Sequence, residues 1–120
     1  MKEVDIIIPH ERLNDVNHIL HKHKVGGMYF YEITGRGRAE RPEREETTVE
    51  GYRTGKRYVP EFGGRIKVQV IIPDTMEKAL VDDIIAATST GSTADGKIFV
   101  KAITNAYDIG SKQSGEVAAS

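Results

Sequence analysis

Three stretches of the 120-residue chain carry residue types able to do chemistry, and the most suggestive is Thr90-Gly91-Ser92-Thr93-Ala94-Asp95-Gly96-Lys97. Small residues let backbone N–H groups approach an anion closely, and the closing lysine adds a point charge suited to phosphate. The segment is not a Walker A sequence, which needs Gly-Lys-Ser/Thr at a helix start, and taken alone it reads as an ordinary Asp-Gly turn. The second stretch holds His18, His21 and His23. Only positions three or four apart share a helical face, so His18 and His21 can meet while His23 falls elsewhere; solvated histidines, and no metal site, are expected. The third holds Glu43, Glu45, Glu46 and Glu50, in a charge-mixed run where neither fixed geometry nor tuned pKa values for acid–base work are expected. No Ser-His-Asp set has a recognisable context, so the expectation is a protein that is not an enzyme.

The elements that must position these residues repeat. Asp5-Ile6-Ile7-Ile8-Pro9 is followed by Leu13, Val16, Ile19 and Leu20, and Gln69-Val70-Ile71-Ile72-Pro73 by Met76, Leu80, Val81, Ile84 and Ile85. Each half reads as a buried strand cut by proline and then an amphipathic helix with apolar spacings of three and four. A glycine-marked turn and a second strand follow in both, over Gly26–Thr34 and Gly96–Ile103. A duplicated βαβ order predicts an α+β, ferredoxin-like fold: one four-stranded antiparallel sheet with both helices on one face. The expected core is Ile6, Ile8, Leu13, Val16, Leu20, Val68, Val70, Leu80, Ile84, Ile98 and Val100. Strands as apolar as Val4–Ile8 and Ile66–Ile72 suggest burial on both faces, which two helices cannot supply, so a homo-oligomer is expected to cover the second.

Composition narrows the class. Lys+Arg number 17 against Asp+Glu 18, a formal net charge of -1, which argues against a general nucleic-acid binder. With no cysteine, disulfide frameworks, thiolate metal sites and cysteine nucleophiles are excluded. No apolar run approaches the ~20 residues that span a bilayer, and Met1-Lys2-Glu3 opens no secretion signal, so a cytoplasmic location is expected. A single domain over residues 1–120 fits this length.

Between the halves lies the anomaly. From Gly35 to Gly64 the chain mixes Arg, Lys and Glu with almost no aliphatic content, and it is far longer than the usual connection of ~4–6 residues. Tyr52, Tyr58, Pro60 and Phe62 supply anchors that a passive linker would not need, which favours an arm that orders on a ligand or partner. The Gly/Ser/Ala-rich end, about residues 110–120, reads as a flexible C-terminal segment.

Taken together, Gly26-Gly27-Met28, Gly35-Arg36-Gly37-Arg38, Tyr52-Arg53, Tyr58, Ile71-Ile72-Pro73-Asp74, Thr90-Gly91 and Asp95-Gly96-Lys97-Ile98-Phe99-Val100 resemble the PII nitrogen-regulatory signal proteins, over about residues 1–105. The resemblance implies a homotrimer with a protruding T-loop, about residues 37–60, and nucleotide sites in the clefts between subunits. It implies ATP or ADP as effector, Mg2+ with ATP, 2-oxoglutarate as a further effector, and an ammonium transporter or a nitrogen-assimilation enzyme as partner, with membranes met only through such a transporter. Carried over by position, the nucleotide cleft comprises Ile7, Tyr29, Gly35, Arg36, Gly37, Arg38, Ile71, Asp95, Gly96 and Lys97. Arg65 matches the lysine that meets 2-oxoglutarate, and Tyr52, Arg53 and Tyr58 would meet the partner.

Departures from the family pattern fall at the ligands. Ala39 stands where a glutamine helps to ligate magnesium, and a methyl group is no metal ligand. Asp108 lies in the stretch where two arginines usually reach phosphate, Ser92 stands where a lysine is common, and one extra residue separates Tyr52 from Tyr58. Losing several cations weakens triphosphate binding most, which keeps a preference for ADP or AMP open. Two alternatives stay beside the nucleotide sensor: a PII-like trimer sensing ADP, AMP or another small anion in a different pathway, and a scaffold that grips a partner through residues 39–60 without sensing.

Overall fold

The computed structural model describes residues 1–37, 49–50, 57–58 and 62–119. Its elements in chain order are β1 (Lys2–Ile8), α1 (Leu13–Lys22), β2 (Met28–Gly35), β3 (Val49–Glu50), β4 (Arg57–Tyr58), β5 (Gly63–Ile72), α2 (Glu77–Thr88), β6 (Lys97–Ala102) and α3 (Glu116–Ala119), with short 3-10 turns at His10–Arg12 and Asp74–Met76. Proline shapes both halves alike. Pro9 and Pro73 end their strands at φ −61°, ψ 153° and φ −63°, ψ 151°, and each carbonyl accepts the N–H three residues on, from Arg12 and Met76, at 3.1 Å. A ring that fixes φ near −65° and donates no hydrogen bond suits the end of a ladder and the entry to a helix.

Four strands form one antiparallel sheet in the order β2-β5-β1-β6, the expected ferredoxin-like arrangement. Period-two alternation sends Val4, Ile6 and Ile8 of β1 and Ile66, Val68, Val70 and Ile72 of β5 to the helix face, where all seven are buried. Val16, Ile19 and Leu20 of α1 and Leu80 and Ile84 of α2 meet them at helical spacing. Burying each such side chain contributes about 1.5–3 kcal/mol, which makes this layer the main favourable contribution to the fold. Buried Thr88 ends α2 with its hydroxyl donated to the Ile84 carbonyl at 2.7 Å, which leaves the polar group satisfied.

Three core expectations need revision. Leu13 and Ile98 are only partly buried against the cluster, and Val100, opposite Val4, is 38% exposed. β6 is an edge strand, so Val100 has a strand neighbour on one side only. Burial on both faces of the sheet is likewise not found within one chain: Ile7 and Ile71 point away from the helices and are only partly buried.

Between the halves, β3 and β4 pair antiparallel, Val49 with Tyr58 and Glu50 with Arg57. The rest of the expected T-loop, including Arg38, Ala39, Tyr52 and Arg53, lies outside the described residues. The C-terminal segment follows a defined course. Tyr107 bridges to Ser114, the Gly115 N–H donates to the Ala106 carbonyl at 2.9 Å, and Asn105 Oδ1 accepts from the N–H groups of Ala106 and Gly115. No helix among the described residues is long and apolar enough to cross a membrane.

Candidate functional site

The open face of the sheet is a grid of strand partners. One row runs Tyr29, Gln69, Asp5, Phe99; the next runs Tyr31, Lys67, Ile7, Lys97; Ile71, Glu3 and Lys101 make a third, and Ile33 with Arg65 a fourth. Five residues expected at a ligand site, Ile7, Tyr29, Arg65, Ile71 and Lys97, therefore share this face.

They do not share one pocket. Ile7 and Lys97 are direct partners, and Gly96 precedes them, so these three are together. Tyr29 and Gly35 belong to β2, at the opposite edge of the sheet from β6. At ~4.8 Å per strand, three spacings put Lys97 roughly 14 Å from β2, and two put Ile7 roughly 10 Å from it, in one chain. Ile71 lines an apolar pocket of about 240 Å³ with Met1, Ile72, Pro73, Glu116, Val117 and Ala119, smaller than the ~300–1,000 Å³ usual for ligand sites. Arg65 lies at the start of β5, where its guanidinium donates to the Gly64 carbonyl at 2.9 Å. Arg36 and Gly37 follow β2 directly.

The loop over residues 89–96 is built around a carboxylate. The backbone N–H of Thr90 donates to Asp95 Oδ2 and its hydroxyl to Asp95 Oδ1, both at 2.6 Å. The Ala94 N–H donates to Ser92 Oγ at 3.1 Å, and the Asp95 N–H to the Ser92 carbonyl at 3.3 Å. The Thr90 hydroxyl first, then the Thr90, Ser92 and Gly91 N–H groups, hold the Asp95 carboxyl below the usual aspartate range. Gly96 sits at φ 128°, and a Cβ there would collide with the Ile7 carbonyl oxygen, so no other residue brings the loop this close to β1.

Residues that the motif reading passed over dominate the rest of the face. Asp5 is 3% exposed, its Oδ2 is 3.4 Å from Lys101 and 3.8 Å from Lys67, and its buried Oδ1 has no hydrogen-bond partner among the described residues. Lys101 also meets Glu3 at 2.8 Å; that bond first, and Asp5 second, raise the lysine's pKa. Lys67 lies 5.7 Å from the centroid of the Tyr31 ring, within cation–π reach. The available signal was the interruption of an apolar run by Asp5, Lys67 and Gln69 at the alternate positions.

Elsewhere the candidates resolve into structural contacts. His18 and His21 are exposed as expected, but His23 is not solvated like them: its Nε2 is 2.6 Å from Asp83 of α2. That bond, then Lys22 at 3.3 Å, lowers the Asp83 pKa. Asp108 accepts the Ser111 N–H at 2.8 Å and is held ionised by that turn. Among the described residues no group of three His, Cys, Asp or Glu side chains is arranged to hold a metal ion.

The family model described as "Nitrogen regulatory protein P-II" matches residues 1–113. The chain belongs to the P-II family. It is a signalling regulator and not an enzyme. The nitrogen regulatory protein P-II of Rhodobacter capsulatus is 33% identical over 116 residues, 97% of both chains, and that of Cereibacter sphaeroides is equally similar over the same span. Nitrogen regulatory protein P-II 1 of Escherichia coli K12 is 36% identical over 100 residues, 83% of each chain. The match takes in both edges of the sheet and the Asp95 loop of this P-II chain.

Proposed function

We propose that this P-II chain senses an adenine nucleotide, ATP or ADP, in a cleft between two copies, and that the T-loop passes the bound state to a partner in nitrogen metabolism. One observation carries the reading: residues suited to one nucleotide are divided between opposite edges of the sheet, with Gly96 and Lys97 beside β6 and Tyr29, Gly35, Arg36 and Gly37 on or after β2. A contact in which the β6 edge of one copy faces the β2 edge of another completes the set, and such a head-to-tail contact repeated closes into a ring, here a homotrimer. The open face suits this assembly, since it presents aromatic rings among charges of both signs. Lys97 and Arg38 would meet the phosphates, Ile7 and Ile71 the base.

Regulation is then a population shift. A nucleotide with different affinity for two T-loop states changes which state the partner meets, through Tyr52, Arg53 and Tyr58, on an ammonium transporter or a nitrogen-assimilation enzyme. Ala39 supplies no side-chain ligand for Mg2+, which would then reach the site on the phosphates of ATP, and Arg65 is the expected contact of 2-oxoglutarate. The carboxylate of Asp108, ionised where the family pattern expects cations, favours a second reading: a sensor of ADP or AMP rather than ATP.

Calorimetric titration with ATP, ADP and AMP, with and without Mg2+ and 2-oxoglutarate, tests both. Three sites per trimer for ATP or ADP is the expected result. Tightest binding of ADP or AMP, with no response to 2-oxoglutarate, selects the second reading, and no binding of any nucleotide leaves only a scaffold.

A further inference from the structure

A carboxylate in a loop that is to receive phosphate is an electrostatic contradiction, and the geometry around Asp95 resolves it. Both oxygens already accept 2.6 Å hydrogen bonds from Thr90, five residues back, so the charge is directed into the loop and answered there. The next residue, Gly96, lies against the Ile7 carbonyl where a side chain has no room, and Lys97 follows as the partner of Ile7. The chain from Thr90 to Lys97 is thus closed at one end by a carboxylate and held at the other by the sheet.

We infer that Asp95 is a positioning residue: it ties residues 90–95 into one conformation and so sets Gly96 and Lys97 where phosphate meets them, without touching the nucleotide. This rests on the nucleotide reading proposed above. It also changes the part expected of Asp95, from a lining residue of the cleft to the anion that shapes the loop before any ligand arrives. A loop ordered in advance loses less freedom on binding, so the gain falls on the ligand atoms that the loop meets. Those are the phosphates, because the loop ends in a glycine and a lysine.

The test compares ADP with adenosine, which has no phosphate, in the unaltered chain, D95A, D95N, T90A, T90S, K97A and D95A/K97A. The unaltered chain is expected to bind ADP more tightly than adenosine. D95A is expected to weaken ADP by about tenfold or more, the size of a charge-assisted contact, and adenosine by less than about twofold. D95N and T90A, which each keep part of the closure, should fall between, and T90S, which restores the hydroxyl, should match the unaltered chain. In the K97A background the effect of D95A should shrink to less than about threefold, since the residue it positions is gone. Amide hydrogen exchange gives a readout free of ligand: the Thr90 N–H should be protected in the unaltered chain and exposed in D95A.

Unchanged ADP affinity in D95A, equal losses for ADP and adenosine, or Thr90 protection that survives D95A overturns the inference while leaving the nucleotide reading in place. Failure of the unaltered chain to bind either ADP or ATP overturns that reading and the inference with it, and binding of ATP alone moves the same comparison to ATP. Should D95A not fold, D95N and T90A carry the same comparison.

Discussion

After α1 the chain reaches β2 through residues 23–27, and after α2 it reaches β6 through residues 89–96. The first crossover is closed by backbone: the Lys24 N–H donates to the His21 carbonyl and the Val25 N–H to the Leu20 carbonyl at 2.9 Å, with Lys24 in the left-handed region at φ 58°. It is a helix end of the common kind, with the carbonyls of the last turn satisfied by the chain that leaves it. The second crossover is closed by the side chain of Asp95, and it reaches back across the sheet to touch β1. Two connections at equivalent places in a duplicated fold thus differ in purpose. One reverses the chain and, through His23, meets Asp83 of α2; the other holds residues at the edge of an open face.

The largest effect expected from breaking this contrast is at Gly96. G96A places a methyl group against the Ile7 carbonyl at φ 128°, and a loss of about 2–4 kcal/mol is expected in denaturant unfolding. Gly91 is the control: at φ 85° with open space around it, G91A carries only backbone strain, about 1 kcal/mol. Equal losses at the two positions would mean that the close approach to β1 is not what fixes the loop.

A smaller effect, of opposite sign, is expected in the first crossover. K24G relieves the left-handed backbone of Lys24 but loosens the unfolded chain, so the net gain in stability should be at most about 1 kcal/mol. A clear loss would show that the Lys24 side chain has a task there.

The smallest effect is an acid one. His23 and Lys22 hold the Asp83 carboxyl below its usual range, so its contribution is complete above pH ~4 and disappears as pH falls through the lowered folded value. Thermal unfolding followed from pH 6 to pH 2 should show a shallower acid decline in D83N than in the unaltered chain. Asp95 has the same sign, but its loss should appear as a lower protection factor of the Thr90 amide, measured against the intrinsic exchange rate at each pH, rather than as a lower melting temperature.

The sheet and its helix-facing core were legible because alternation and helical spacing report directly on burial: Ile6, Ile8, Val68, Val70, Leu80 and Ile84 are where the pattern puts them. Val100 was not, because a strand's place at the sheet edge is a property of topology that its own residues do not carry. Of the candidate site, Ile7, Tyr29, Arg65, Ile71 and Lys97 were brought to one face, yet the placing of Tyr29 and Lys97 at opposite edges became visible only with the strand order. Asp95 was legible as a residue of the loop and not as its closure, since a bond to Thr90 depends on a backbone course that spacing does not reveal. Asp5 was hidden by its neighbours: among isoleucines it reads as one polar interruption, and only the sheet shows it between Lys67 and Lys101.

The most direct test of the account is to follow backbone amides by nuclear magnetic resonance while ADP is added to the unaltered chain. Shifts concentrated at Gly91–Lys97, Ile7, Tyr29 and Gly35–Gly37, with residues 23–27 unmoved, are the predicted result. Shifts centred on the first crossover, or none on the open face, would contradict it.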